Sequence, residues 1–391
     1  MLPTVERAAL FKFLATSCSL GVISTPNFEA AYRIFSVLND RDLELAPVDI
    51  LKAAILGDIR KLTDAATSGA YAQQWSRIER MLGRAGFSDL FGHIRTFYAK
   101  QKQRATLVKE FKDSVTEYAT PTILIDEVIK PYAEVWNFIR NADFEASTHA
   151  ETINEYLSWL NEVDFNGWVP PALVYFKRFR QRPELVAAFF KALERLTYFL
   201  LVTKAGVNER IETYATLTRE TEASAFAGDP AKLMTLNLSD NQKRDFMSAL
   251  DGDIYRRLPK ARRALILRLE ALSSDGSKQQ TFKHISLEHV LPQTPAINSQ
   301  WLKEFPDEDE RDSWTHRLAN LVPLHIRKNP SARNYEFTLK KDVYFKGKGI
   351  ASPFVLTQEV RSEKVWTIEV LAARQERLVG VLTGHWELEQ A

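Results

Sequence analysis

Between residues 184 and 204 apolar side chains recur at three- and four-residue spacing: Leu185, Phe189, Leu193, Leu196 and Leu200, with Lys191, Glu194 and Arg195 between them. That period predicts an amphipathic helix, and Pro183 stands where a first helical turn tolerates proline. The same reading predicts helices near 28–38, 47–67, 71–83, 88–117, 127–141, 148–161, 171–180, 207–224, 240–249 and 258–273. Turn-rich breaks fall at 164–171, 226–230 and 273–278. After Ser277 the pattern changes. Short strand-like runs appear, then an acidic segment at 304–312, then a second pair of apolar runs and a basic helix candidate. Strand, loop, strand, helix is a small α+β motif, so the expected fold is mostly α with a small α+β C-terminal domain, joined near 255–280.

Composition narrows the classes. The chain has 391 residues, of which 45% are hydrophobic and 26% charged, enough for a packed core and a soft prior of two to three domains. A single cysteine, Cys18, excludes a disulfide scaffold and a zinc ribbon, since both need several sulfurs. No run approaches 18 consecutive apolar residues, and the N-terminus lacks the basic-then-apolar pattern of a signal peptide. The expectation is a soluble, cytoplasmic protein with no membrane partner.

The net charge of +2 hides an asymmetry. Residues 255–391 hold 22 Lys/Arg against 17 Asp/Glu, whereas residues 1–254 hold 30 against 33. Between 325 and 349 stand Arg327, Lys328, Arg333, Lys340, Lys341, Lys346 and Lys348, against only Glu336 and Asp342. A local excess of this kind suits a polyanion; a solvated basic face is the plainer reading.

Three pieces of sequence carry candidate chemistry. Glu288-His289-Val290-Leu291-Pro292 places a carboxylate and an imidazole on adjacent residues. Neighbours on a strand point to opposite faces, so the two converge only where the strand ends or bends, and Pro292 favours an end. Asn320-Leu321-Val322-Pro323-Leu324 follows about thirty residues on, and Asn329 stands nine after Asn320. Each has a plain alternative. His289 alone fits a structural histidine, Asn320 a turn cap, and Asn329 a helix N-cap before Pro330. Asn334 competes with Asn329. His284 reads as structural; His316 and His325, which flank the second strand, read as structural, with a contact to DNA phosphate or the metal site as the alternative.

Together the pieces resemble the ββα-metal (HNH) nuclease motif. The resemblance implies that Glu288 is a metal ligand, His289 the general base, Asn320 the residue fixing the loop that holds His289, and Asn329 the second protein ligand. A closer similarity is to the C-terminal nuclease domain of GmrSD-type modification-dependent restriction enzymes, which include SspE-like phage-defence proteins. It rests on Asn329, Asn334, Phe337, Lys341 and Tyr344, then Ser352, Phe354, Leu356, Trp366, Thr367, Arg374 and Leu378. Ala31-Tyr32-Arg33-Ile34-Phe35, Leu38-Asn39-Asp40-Arg41 and Asp49-Ile50-Leu51-Lys52 resemble the end of that family's N-terminal nucleotide-using domain, although its Asp-Gly-Gln-Gln-Arg motif is absent. The organisation implied is residues 1–60 as the tail of that domain, 61–254 as a helical domain and 255–391 as an HNH-like nuclease domain.

The implied activity is metal-dependent hydrolysis of DNA, nicking one strand per site, in defence against phage. A neutral imidazole has a reference pKa near 6.5 and can take a proton at neutral pH. A carboxylate with an amide carbonyl suits Mg2+ or Mn2+ better than a closed zinc site. Arg327, Arg333, Lys340, Lys341, Lys346 and Lys348 are the expected contacts to double-stranded DNA. A nucleotide-hydrolysing domain or subunit is a further expected partner. Two rivals stand beside this: a binding subunit with a decayed nuclease motif, and an HNH-type RNase toxin. Nucleotide hydrolysis by this chain is disfavoured, because no phosphate-binding Gly-rich loop is found.

Overall fold

The computed structural model describes residues 4–18, 46–274, 285–325, 334–345 and 352–389. Two compact units divide the chain, residues 1–72 and 73–391. The described residues are mostly helical, with one two-stranded antiparallel sheet. None of their helices is long and apolar enough to cross a membrane.

In the first unit the helix Pro47–Leu62 starts with proline in its first turn, and the Asp49 carboxylate accepts the Ala46 backbone N–H at 3.1 Å. Those two features satisfy and pre-set the helix start. The helix predicted at 28–38 lies outside the described residues. The segment Ala65–Ala99 is helical but breaks at Gly83, whose φ of 67° and ψ of 167° are not helical.

In the second unit the predicted helix at 88–117 is split. Lys100, at φ 49°, turns the chain out of the helix that ends at Ala99. A new helix, Leu107–Ser114, begins after Thr106, whose hydroxyl accepts the Lys109 N–H. The Glu110 carboxylate binds the N–H groups of Arg104 and Ala105 and pairs with the buried Arg95, so polar bonds rather than apolar periodicity decide the break. The stretch read as helix at 184–204 forms Pro183–Val202, which buries Phe189, Phe190, Leu193 and Leu196. Phe189 stacks on Tyr175 of the helix Val169–Phe179 with ring centroids 3.8 Å apart.

The strands are β1, Ile285–His289, and β2, Leu321–His325, with Glu288 opposite Val322 and His289 opposite Leu321. Leu321 to Leu324 are all buried, with no in–out alternation, so β2 is covered on both faces. On one side Val322 and Leu324 join a core of Val290, Leu291, Trp301, Phe305, Ala319, Val360, Trp366 and Leu371. Pro323 interrupts the apolar run but brings only a carbonyl, and the Thr357 hydroxyl donates to it at 2.7 Å. The helix Phe337–Phe345 follows β2 in the chain, and the helices Val355–Ser362 and Ile368–His385 come after it. These last two were not among the helices predicted from periodicity.

The helix Arg262–Ser273 joins the helical region to the strands. Arg268 is fully buried there. Its guanidinium donates to Glu194 at 2.7 Å and to Glu155 at 2.8 Å, and lies 2.9 Å from the ring nitrogen of His385. One side chain thus ties the helices Ala150–Asn161 and Pro183–Val202 to the last helix of the chain.

Candidate functional site

The loop after β1 is held by one side chain. Asn320 is fully buried and ends the short turn Leu318–Asn320 that leads into β2. Its Oδ1 accepts the Leu291 N–H at 2.6 Å and the Trp366 indole N–H at 3.2 Å. Its Nδ2 donates to the carbonyls of Leu291 at 2.9 Å and Thr315 at 2.8 Å. All four hydrogen-bonding positions of the amide are used. Its own carbonyl accepts the Val290 N–H at 3.0 Å. The chain after His289 therefore leaves the ladder in one conformation. From the other side, Gln375 accepts the Ala319 N–H and Arg374 donates to the Ala319 carbonyl, so the helix Ile368–His385 fixes the same turn.

β1 ends at His289, and the two adjacent side chains meet different neighbours. The Glu288 carboxylate faces the helix Phe337–Phe345, where the Lys340 ammonium donates to its Oε1 at 2.8 Å and to the His289 carbonyl at 2.6 Å. The His289 ring faces Tyr255, edge to face at 4.2 Å, and His316 at 5.3 Å. Burial, together with the positive charges of Lys340 and Arg262 and the neighbouring His316, pushes the His289 imidazole down to about 3. A neutral ring carries one N–H and one lone pair. Its Nδ1 lies 3.3 Å from the Gln293 amide, while Nε2 is buried with no hydrogen-bond partner among the described residues. The Gln293 atom at Nδ1 is the amide nitrogen Nε2, which only donates; a lone pair on the ring Nε2 requires the proton on Nδ1 and the Gln293 amide turned over so that its oxygen accepts that proton.

The structure corrects the expectation for Lys340. This residue is fully buried, and its ammonium is enclosed between Glu288 and the end of β1 instead of facing a DNA phosphate. A bare ammonium in a protein interior must be paired, and among the described residues the carboxylate bonded to it is Glu288. Lys341 is also engaged, by the Glu363 carbonyl at 2.7 Å and over the Phe337 ring at 4.7 Å, so its ammonium is used by the fold. Arg327, Asn329, Arg333, Lys346 and Lys348 lie outside the described residues.

Among the described residues no group of three His, Cys, Asp or Glu side chains is placed to hold a metal ion. Glu288 is one hard oxygen ligand of the kind Mg2+ or Mn2+ takes. Its Oε1 already carries the Lys340 ammonium, so a cation would share that carboxylate with a lysine.

Two neighbours of His289 were not found from sequence. Tyr255 lies on the short helix Ile254–Arg257, and the N–H groups of Ile254 and Tyr255 both donate to the His316 carbonyl, at 3.0 and 3.1 Å. His316, read as structural, holds that turn against the imidazole. The Arg262 guanidinium sits 3.7 Å above the Tyr255 ring. The sequence signal for this wall was the run Arg256-Arg257-Leu258-Pro259-Lys260-Ala261-Arg262-Arg263, which has five basic residues and no acid.

Residues 238–381 match the family model described as GmrSD restriction endonucleases, C-terminal domain. The matched segment includes the Ile254–Arg257 turn, both strands, Asn320 and the Glu288–Lys340 pair, and it supports a C-terminal region of the GmrSD restriction type. No curated protein matches the chain.

Proposed function

We propose that the chain is a DNA endonuclease of a restriction system, with an HNH-like (ββα-metal) site at the end of β1 that hydrolyses phosphodiester bonds. The observation that carries this reading is the buried Nε2 of His289, without a hydrogen-bond partner among the described residues, on a strand end that Asn320 locks in place. The match of residues 238–381 to a restriction endonuclease domain supports it and makes DNA the substrate of choice.

Hydrolysis needs a base for the attacking water and positive charge near the phosphate. His289 takes the proton on Nε2, with Gln293 and Tyr255 holding the ring. Its depressed pKa keeps the ring neutral in the free protein. A DNA phosphate beside the ring opposes the surrounding cations and raises that pKa toward the working range. Glu288, with Asn329 from outside the described residues, would hold one Mg2+ or Mn2+, which supplies Lewis-acid stabilisation of the leaving oxygen when bound. One such centre serves one strand, so the product is a nick. Restriction of foreign or modified DNA is the corresponding role.

The test is conversion of supercoiled plasmid to open circles by purified chain with Mg2+ or Mn2+. His289→Ala is expected to abolish nicking while keeping the wild-type melting curve. Equal nicking by the variant would reject His289 as the base, and faster breakdown of structured RNA than of plasmid would reject DNA as the substrate.

A further inference from the structure

The basic surface expected at Lys340 and Lys341 is consumed by internal contacts. Another cationic wall stands beside the imidazole. The turn and helix start from Ile254 to Arg263 carry Arg256, Arg257, Lys260, Arg262 and Arg263 with no acid among them. Two of the five are paired: Arg256 with Asp253 and Asp312, and Arg263 with Glu162. The other three are not. Arg257 and Lys260 are exposed and Arg262 is half-buried, and none of them has a carboxylate within ion-pair distance among the described residues.

Position gives Arg262 a direction. Tyr255 touches the His289 ring, and Arg262 lies on Tyr255, so one aromatic ring separates the guanidinium from the imidazole. Arg262 is also oriented: one guanidinium nitrogen donates to the Tyr255 carbonyl at 2.7 Å, and the stack on the ring fixes its plane. A planar guanidinium held in this way has further N–H groups for a planar or tetrahedral oxyanion. The turn itself is anchored to the site by the two bonds to the His316 carbonyl. Three unneutralised cations on an anchored turn next to a candidate general base are what a polyanion backbone needs, since affinity for it comes from charge and position and not from base identity.

We propose that Tyr255, Arg257, Lys260 and Arg262 form a phosphate-binding subsite for duplex DNA, in which Arg262 holds a backbone phosphate next to the bond His289 attacks and Arg257 and Lys260 hold flanking phosphates. The inference rests on the nuclease reading for the identity of the polyanion, but its test does not depend on cleavage.

The experiment measures binding of a fluorescent DNA duplex by anisotropy across a salt series. His289→Ala is the parent, so that the probe stays intact. Arg262→Gln in that parent is expected to weaken binding roughly tenfold, the worth of one charge-assisted bond. It should make the slope of log affinity against log salt shallower by about 0.9. Arg257→Gln with Lys260→Gln should remove about twice that slope. This second pair is exposed and has no carboxylate partner among the described residues, so it tests the surface even if Arg262→Gln perturbs the turn. Arg262→Lys should restore the slope, which a merely structural arginine would not do. Unchanged affinity and slope in both variants, with wild-type melting, would overturn the subsite. Tighter binding of an RNA duplex with the same losses would overturn its assignment to DNA. Loss of binding in the variants of a protein that never nicks plasmid would instead uphold the subsite and reject the catalytic reading.

Discussion

Lys340 places its buried ammonium 2.8 Å from Glu288 Oε1 and 2.6 Å from the His289 carbonyl, so a lysine from the helix after β2 clamps the end of β1. Burial lowers the lysine's pKa and the Glu288 charge opposes that shift. Lys340→Met would take the Lys340 ammonium away from the buried Glu288 carboxylate. The expected loss is about 3–5 kcal/mol of stability, read by urea unfolding. Adding Glu288→Gln should recover a large part of it. A double variant no more stable than Lys340→Met would show that the pair does not act as a unit.

Asn320 fills both donor and both acceptor positions of its amide inside the core. Asn320→Asp keeps the acceptor to the Leu291 N–H but removes both donors and buries a charge. Each orphaned carbonyl costs about 1–3 kcal/mol, so unfolding should shift by several kcal/mol, and any nicking should fall with it. A variant of unchanged stability would show that the loop after His289 is not held by this residue.

Among the described residues Gln293 is the one polar side chain within hydrogen-bond distance of the His289 ring. Gln293→Glu puts a carboxylate there, which favours the imidazolium and raises the His289 pKa. Because the protonated ring cannot act as a base, the acid limb of the nicking rate should move to higher pH. Gln293→Leu should not move it that way. A pH–rate profile under single-turnover conditions reads the shift, and no movement of the limb in Gln293→Glu would place the base elsewhere.

His93 is buried against Trp136, with ring centroids 4.8 Å apart, and burial pushes its pKa down to about 3. The unfolded chain takes up this proton near pH 6.5, and the folded chain only near 3. The stability of the neutral ring is therefore present above pH 6.5 and is lost as pH falls toward 3. The loss is up to about 1.4 kcal/mol per pH unit. His93→Phe should flatten the acid side of the stability curve measured by urea titration. An unchanged slope would assign acid sensitivity to other groups.

Arg268 and Glu194 are both fully buried and bonded at 2.7 Å. Arg268→Met is expected to cost about 3–5 kcal/mol by stranding Glu194. Since the pair joins the helical region to the helix Ile368–His385, proteolysis should then release the C-terminal helix early. The same cleavage pattern as wild type would deny the residue that linking role.

The sequence by itself set the helices with an apolar stripe, such as Pro183–Val202, because a 3.6-residue period follows from local geometry alone. It also set the order of strand, strand and helix around Glu288, His289 and Asn320, because adjacent and regularly spaced residues carry that order. Periodicity missed Val355–Ser362 and Ile368–His385, and it ran through the break at Lys100, where backbone bonding to Glu110 decides the path. Which charges face solvent was a tertiary matter. Lys340 and Arg262 look alike along the chain, yet one is enclosed by Glu288 and the other lies on Tyr255 beside the imidazole. Charge is a property of the residue, but its availability depends on what the rest of the chain brings within a few ångströms. That was fixed only when the segment 254–263, the two strands and the helix Phe337–Phe345 packed around His289.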